Sequence, residues 1–233
     1  AELLGVSAHG TFERGTSTLQ MLGDPDEAWW ADVRQRLLDA RAARPDKLRQ
    51  GDTGWWVKNV QKRLLDAHFW LRQANGTFDD TTQQAVMALQ KVHGLSRDGI
   101  VGPSTWRAIY DPITPRPRTA SYWEIDLDRQ VLQVVADGER VLVLNTSTGS
   151  NEYFTSDGYT RAAVTPPGTF AVDRVYDGVH TGSLGSLYRP RYFNQGIAVH
   201  GAPSIPGYPA SHGCARVSNA AMDMLWAQDH LPM

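Results

Sequence analysis

Cysteine is almost missing: the 233 residues contain one, Cys214. An internal disulfide and a cysteine-cluster metal site are therefore excluded, which leaves either a structural thiol or a reactive one. Long apolar runs are missing too. None approaches the roughly 20 residues needed to cross a bilayer. The start, Ala1-Glu2-Leu3-Leu4, has no charged stretch leading into an apolar one, so neither a membrane span nor an intact signal peptide is expected in the chain as given. Excess charge of one sign is absent, with 23 Lys and Arg against 25 Asp and Glu. Without a basic face, nucleic acid is not an expected partner. Lysine is scarce: Lys47, Lys58, Lys62 and Lys91 all lie in the first half, and from Ala120 onward seven arginines face eleven acids. What is present, 41% hydrophobic and 21% charged residues, is an ordinary globular composition that rules out disorder and leaves room for one large domain or two small ones.

The clearest boundary is Asp111-Pro112-Ile113-Thr114-Pro115-Arg116-Pro117-Arg118-Thr119, where three prolines remove amide donors and favour extended backbone. It reads as a short, stiff linker. Apolar spacing before it is helical; after it, short runs rich in Val, Leu, Ile and Tyr alternate between Gly and Asp turns. Asp24-Pro25-Asp26-Glu27 opens a helix from about Pro25 to Ala43, with Trp29, Val33 and Leu37 at i+4 spacing. A second helix starts near Thr53 with Trp56, Val60 and Leu64 on one stripe. A third opens at Asp80, with Gln83 three residues on, carries Val86, Leu89 and Val92, and is stopped by Gly94. A fourth begins at Pro103 and is expected to bury Trp106, Ile109 and Tyr110. Val33 to Ala40 nearly repeats as Val60 to Ala67, a spacing too short for the usual helical repeats.

After the linker, Tyr122 to Leu127, Val131 to Ala136 and Arg140 to Asn145 read as a β-meander. Gly168 to Tyr176 and Gly196 to His200 read as further strands, and Ser218 to His230 as a helix. Tyr188, Tyr192 and Phe193 are either core and hairpin aromatics or part of a lid. Trp55 and Trp56 read as helix-face aromatics rather than glycan contacts.

Within the first half, Leu48-Arg49-Gln50-Gly51-Asp52-Thr53-Gly54, the Val60–Leu64 helix, Gly76-Thr77-Phe78-Asp79 and Asp98-Gly99-Ile100-Val101-Gly102-Pro103-Ser104-Thr105-Trp106 resemble a peptidoglycan-binding domain of the three-helix type, over about Lys47 to Tyr110. Physically these residues specify a fold more than a ligand, since Gly99 and Gly102 free a tight turn and Pro103 opens a helix. A bundle that merely props up the second domain is the other reading.

The residues that carry chemistry lie together. Ile197-Ala198-Val199-His200-Gly201 is a strand ending in His, and a Pro- and Gly-rich loop returns to Ser211-His212-Gly213-Cys214-Ala215-Arg216-Val217. A free thiol is mostly protonated at neutral pH, and a neighbouring imidazole can take its proton, so Cys214 with His200 or His212 is a candidate nucleophile and base. Gly213 would let nearby amides point at a developing oxyanion, and Arg216 could bind a substrate carboxylate. A lone Cys is more often a small buried hydrophobe, but two histidines, a glycine and an arginine beside it are poor choices for packing a core strand.

The stretch resembles the L,D-transpeptidase (YkuD) family, whose motif of His-Gly, a loop and Ser/Thr-His-Gly-Cys-x-Arg/Asn is met by His200-Gly201, Ser211-His212-Gly213-Cys214 and Arg216. Ser147-Thr148-Gly149 and Thr165-Pro166-Pro167-Gly168-Thr169-Phe170 support it, and the resemblance runs from about Ser121 to the end. It implies a multidomain α + β chain: a small helical bundle followed by a mainly β sandwich. The segments are an N-terminal segment with a helix (1–46), a peptidoglycan-binding helical domain (47–111), a linker (112–119) and a catalytic domain (120–233). It further implies Cys214 as nucleophile and His200 as proton acceptor and donor, oriented by the Gly201 carbonyl. His212 and Gly213 would shape the oxyanion site, and Arg216, with Ser211 and Gly201 beside it, would bind substrate. No metal or organic cofactor is needed.

The implied activity is third-to-third cross-linking of peptidoglycan stem peptides outside the cytoplasmic membrane. The rivals are an L,D-carboxypeptidase using the same acyl-enzyme and a non-catalytic wall-anchoring protein. The chain departs from the family pattern in a short loop between His200 and Ser211. It also ends at Met233, where relatives usually continue into another Gly-Thr-containing strand. Sortase-like and papain-like enzymes fit poorly, because the order and spacing of their Cys and His differ.

Overall fold

The helices form where apolar stripes and breakers put them. The computed structural model describes residues 27–113 and 121–228, and the chain divides into two compact units, Ala1–Pro45 and Asp46–Met233. In the first, α1 (Glu27–Ala42) is described and buries Val33. The expected cap at Asp24-Pro25-Asp26 lies outside the described residues. In the second, α2 (Trp55–Asp66) buries Val57, Val60, Gln61 and Leu64, with Trp56 at the margin of the same core.

Helix α3 (Asp80–Val92) is capped one residue earlier than the sequence suggested. The Asp79 carboxylate accepts from Thr82 N at 2.8 Å, while Asp80 already lies in the first turn, facing the positive helix end. Gly94, at φ +64°, ends it in a Schellman arrangement, with Leu95 N donating to Gln90 O and Gly94 N to Lys91 O. In α4 (Pro103–Tyr110), Trp106 and Ile109 are buried as expected, but Tyr110 is 44% exposed. Its ring stacks on Trp106 and under the Arg63 guanidinium, which shields one face without burying it.

Two buried glutamines hold successive helices in the same way. Gln61 of α2 receives Gly76 N and donates to Thr77 O and Thr82 Oγ1; Gln90 of α3 receives Gly99 N and donates to Ile100 O and Thr105 Oγ1. The structural repeat is thus helix, Asx-Gly turn, helix. The similarity between Val33–Ala40 and Val60–Ala67 is a different register, and much of its first copy lies outside the described side chains.

Strands β1 (Tyr122–Asp126), β2 (Val131–Ala136) and β3 (Glu139–Asn145) make the expected antiparallel meander. Both of its faces are covered. Val131 and Val143 join the core of the helices, whereas Leu132, Val134 and Leu144 join a second core with Val199, Ala215 and Val217. This double burial is why β2 reads as a nearly continuous apolar run. The second sheet contains β6 (Arg174–Val175), β7 (Val179–Gly182), β8 (Gly185–Asn194), β9 (Ile197–Ala202) and β10 (Ala215–Ser218), ordered β10-β9-β8-β6 with β7 also on β8. Only the β9–β10 pair is parallel. Of the strand expected over Gly168 to Tyr176, only Arg174–Val175 pairs, because Pro166 and Pro167 lead into it without amide donors and Gly168 sits at φ +146°. A hairpin that the sequence reading missed, β4 (Tyr153–Ser156) with β5 (Tyr159–Ala162), turns at Asp157-Gly158, both at positive φ as a type I′ turn requires. Helix α5 (Asn219–Gln228) packs Ala221, Met222 and Leu225 into the second core; the expected continuation through His230 lies outside the described residues.

Helices and sheet are stitched together within Asp46–Met233. Trp70 N donates to Val143 O and Val143 N to His68 O, and Asn145 Nδ2 donates to Gln84 Oε1 at 2.6 Å. Gly207 lies so close to Arg97 that an added Cβ would meet the Arg97 carbonyl at 2.6 Å. Most of the proline-rich linker, residues 114–119, lies outside the described residues.

Lys91 is the unusual member of this seam. It is 1% exposed, and its ammonium donates to Gln130 O at 3.0 Å and Thr146 O at 2.7 Å. Burial, with the Arg97 charge adding to it, lowers its pKa from 10.5 to about 7. Between those values the unfolded chain keeps a proton that the folded chain has shed, so raising pH favours the fold, by at most about 1.4 kcal/mol per pH unit. The urea midpoint of the wild type is expected to rise from pH 7 to pH 9 relative to that of Lys91→Met. Parallel midpoints would show that Lys91 keeps its proton when buried.

Candidate active site

The parallel pairing of β9 with β10 assembles the site. Ala215 pairs with Val199 and Arg216 with His200. Since Val199, Ala215 and Val217 point into the core, alternation turns His200 and Arg216 to the opposite face. Cys214, just before β10, lies beside Ala198: the Ala198 N–H donates to its sulfur at 3.4 Å, and the thiol faces Gly196 O at 3.8 Å. On the other side of Ala198, Tyr192 of β8 is its cross-strand partner. One face of the sheet thus carries Tyr192, Cys214, His200 and Arg216.

His200 is buried, and its Nδ1 is 2.8 Å from the carbonyl of Gly201. A carbonyl only accepts, so this contact puts the proton on Nδ1 and leaves Nε2 with a lone pair. Burial holds the imidazole below its ordinary 6.5; the Gly201 hydrogen bond opposes this and the Arg216 charge adds to it. Burial pushes the Cys214 thiol above its ordinary 9.0, against the opposing pull of the Ala198 amide and Arg216. At neutral pH the resting site therefore holds a thiol, turned toward Ala198 N and Gly196 O, and a neutral imidazole on the same face of the sheet. Gly201 has no room for a side chain, since a Cβ would meet Asn219 Oδ1 and the Tyr188 ring at 2.7 Å.

The remaining residues of the motif build the loop. Ser211 is buried, and its hydroxyl donates to Cys214 O at 2.6 Å and accepts from Gly213 N at 3.0 Å, so it is committed within the loop. Gly213 sits at φ +135°, and a Cβ there would meet Val164 O at 3.0 Å. Its amide is taken by Ser211, whereas the Cys214 amide has no hydrogen-bond partner among the described residues. His212 is exposed and lies against the Phe154 ring, 4.5 Å between centroids, outside the row that holds His200. Arg216 is half-buried, with its backbone paired to Ser147 in both directions.

Two contributors carried no individual role in the sequence reading, and a third, Tyr192, was read as a core or hairpin aromatic or part of a lid. Thr165 accepts from Gly149 N at 2.9 Å and donates to Gly213 O at 2.6 Å, joining the Ser147-Thr148-Gly149 element to the cysteine loop. Its Thr-Pro-x-Gly-x-Phe context was the available signal. Gly149 has no space for a Cβ, which would meet Ala163 O at 2.2 Å. Tyr192 is buried, with its hydroxyl 2.5 Å from His180 Nδ1, and its pKa is raised, mainly by burial. No spacing rule in the sequence pointed to it. Tyr188 and Phe193 pack at the edge of the second core, and Tyr188 is tied to Asp223 of α5. Among the described residues no group of three or more His, Cys, Asp or Glu is placed to hold a metal ion.

Residues 120–228 match the family model of the L,D-transpeptidase (YkuD) catalytic domain, and residues 56–109 match that of a peptidoglycan-binding domain. A crystal structure of an L,D-transpeptidase from Xylanimonas cellulosilytica is similar at 46% identity and a TM-score of 0.77, covering 82% of this chain and 95% of that one. Among curated relatives, the N-acetylmuramoyl-L-alanine amidase CwlL of Bacillus licheniformis is 47% identical over 64 residues, 27% of this chain and 18% of the amidase. The N-acetylmuramoyl-L-alanine amidase CwlM of Mycobacterium tuberculosis is 41% identical over 54 residues, 23% of this chain and 13% of that protein. The chain therefore spans less than a fifth of the length of either amidase.

Two outcomes are expected from this geometry. Thr165→Val leaves the Gly213 carbonyl and the Gly149 amide without partners and should lower stability by about 1–3 kcal/mol in chemical denaturation, whereas Thr165→Ser should stay near wild type. Alkylation of Cys214 by iodoacetamide should be slow at pH 7 and climb beyond pH 9 as the thiol ionises. A fast plateau from pH 6 upward would instead reveal a preformed thiolate–imidazolium pair.

Proposed function

The chain belongs to the L,D-transpeptidase family, and from that premise we propose that it cross-links peptidoglycan stem peptides through a thioester on Cys214. The observation that carries the reading is the shared face of β9 and β10, where Cys214, a His200 with Nε2 free, and Arg216 stand together. His200 Nε2 takes the thiol proton as Sγ attacks the carbonyl that joins a diaminopimelate-type third residue to the terminal D-alanine. The C–S bond forms, and the unpartnered Cys214 amide donates to the developing oxyanion. Collapse breaks the C–N bond, and the proton on His200 goes to the departing D-alanine amine. The side-chain amine of a second stem then attacks the thioester, gives its surplus proton to His200, and releases the thiol with a third-to-third peptide bond in place.

Arg216 holds a stem carboxylate and, being close to both Cys214 and His200, favours the thiolate over the imidazolium. His212, exposed beside Phe154, and Gly213 shape the cleft wall, while Ser211 and Gly201 hold its backbone. Residues 56–109 dock the polymer, which raises the local concentration of stem peptides without a new contact at the sulfur. The substrate places the protein outside the cytoplasmic membrane. No described helix is long and apolar enough to cross one.

The test is mass spectrometry of disaccharide-tetrapeptide incubated with wild type and with Cys214→Ala. D-alanine release together with third-to-third dimers, both lost in the variant, is the expected result. D-alanine with tripeptide monomers only would make the protein an L,D-carboxypeptidase, and no Cys214-dependent product from a folded, wall-binding protein would leave anchoring as the function. Because His200 must be neutral to accept the thiol proton and its pKa lies below 6.5, kcat/KM should hold through neutral pH and fall only on the acid side. An acid limb centred above pH 7 would point to a different base.

A further inference from the structure

We infer that Lys91, a residue of the peptidoglycan-binding bundle, positions the segment that carries Cys214, so that the bundle is a working part of the catalytic site and not only its wall anchor. The inference rests on the transpeptidase reading of Cys214 and extends it to a residue on α3. The cysteine loop is held on one side by residues 146–150. Ala210 N and Ser211 N donate to Thr148 O, Ser150 N donates to Ser211 O, and Ser147 and Arg216 exchange backbone hydrogen bonds at 3.1 and 2.9 Å. Thr146 Oγ1 adds a bond to Arg216 O at 2.8 Å. Every hydrogen bond that fixes the approach to Cys214 from this side therefore depends on where the chain from Thr146 to Ser150 lies.

That chain is held in turn at Thr146 O and Gln130 O, and the same side-chain nitrogen bonds both. Lys91 Nζ lies 2.7 Å from the first and 3.0 Å from the second. Gln130, at φ +62° in the turn between β1 and β2, continues the frame: its amide side chain donates to Thr148 Oγ1 and accepts from Thr148 N. Lys91, Gln130, Thr146 and Thr148 are all buried, so no water replaces a lost partner without opening the seam. No salt bridge to Lys91 exists among the described residues, and an apolar side chain of the same length would pack in its place. Thr146 N also donates to Gln130 O at 3.2 Å, and what a lysine adds to that direct link is a second pair of carbonyl contacts that holds both acceptors under the segment from Thr146 to Ser150.

The test compares Lys91→Met with Val86→Ala, a cavity variant of the same helix whose side chain bonds nothing in the sheet. Three readouts are taken on the full chain: steady-state release of D-alanine from disaccharide-tetrapeptide, amide hydrogen exchange, and urea denaturation. Lys91→Met is expected to stay folded, keep KM within about twofold and lose at least tenfold in kcat. Exchange should speed up at Ser147, Ala210, Ser211 and Arg216 while protection in α2 and α4 is kept. Val86→Ala is expected to lose stability and keep kcat. Unchanged kcat and exchange in Lys91→Met, or a kcat loss accompanied by uniform loss of protection, would overturn the inference. If the wild type itself shows no Cys214-dependent release, the catalytic reading fails, and hydrogen exchange at the four amides still decides whether Lys91 holds the loop.

Discussion

The structure turns on a single pair of parallel strands. Two chain segments, one ending in His200-Gly201 and one beginning after Cys214, are brought into register by β9 and β10, and alternation then sorts their side chains. Val199, Ala215 and Val217 go into the core; His200 and Arg216 face the cleft. A slip of one residue would exchange those sets, turning a histidine and an arginine into the apolar core and the valines out of it, so the hydrophobic core itself enforces the register of the site. A parallel pair also needs a long connection, which is the loop that holds Ser211, His212 and Gly213.

That connection alternates between buried and exposed residues, and much of its backbone is bonded to other segments. Its geometry is set partly from outside, where Thr148 O receives Ala210 and Ser211 and Thr165 reaches Gly213 O, and partly from within, where Ser211 Oγ closes the last turn onto Cys214 O. The meander supplies this support because it is buried on both faces, with the helices on one side and the β9–β10 core on the other. Close packing on both sides leaves β3 little freedom to shift. The bundle is thereby joined to the chemistry through a shared core, through the Phe69 and Val143 backbone bridge and through Lys91.

The electrostatics fit a base that stays neutral. Burial acts in opposite directions on the two groups, lifting the thiol and lowering the imidazole, so both favour their uncharged forms before substrate arrives. In the proposed reaction, proton transfer is then coupled to attack and does not precede it. The contact between Nδ1 and the Gly201 carbonyl matters more than any pKa, because it decides which nitrogen is left to act.

The sequence by itself determined the parts list. The helix stripes around Val60, Leu64, Val86 and Leu89, the meander strands, and the cluster from His200 to Arg216 are short-range patterns set by periodicity, turn residues and motif spacing, and each is legible without a partner. It misplaced what depends on neighbours. Tyr110 looked buried and instead stacks on the surface of Trp106; the strand expected from Gly168 shrank to Arg174–Val175; the Asp157-Gly158 hairpin passed unnoticed between polar residues. By residue chemistry alone His200 and His212 are equally plausible; the family resemblance implied His200, and the strand pairing puts His200 on the face of Cys214 while His212 lies against Phe154. The tertiary structure alone set the roles of Thr165, Tyr192 and Lys91, because their partners lie far along the chain. A hydrogen bond between distant segments leaves no period in the sequence; it exists only once the two cores have fixed where those segments meet.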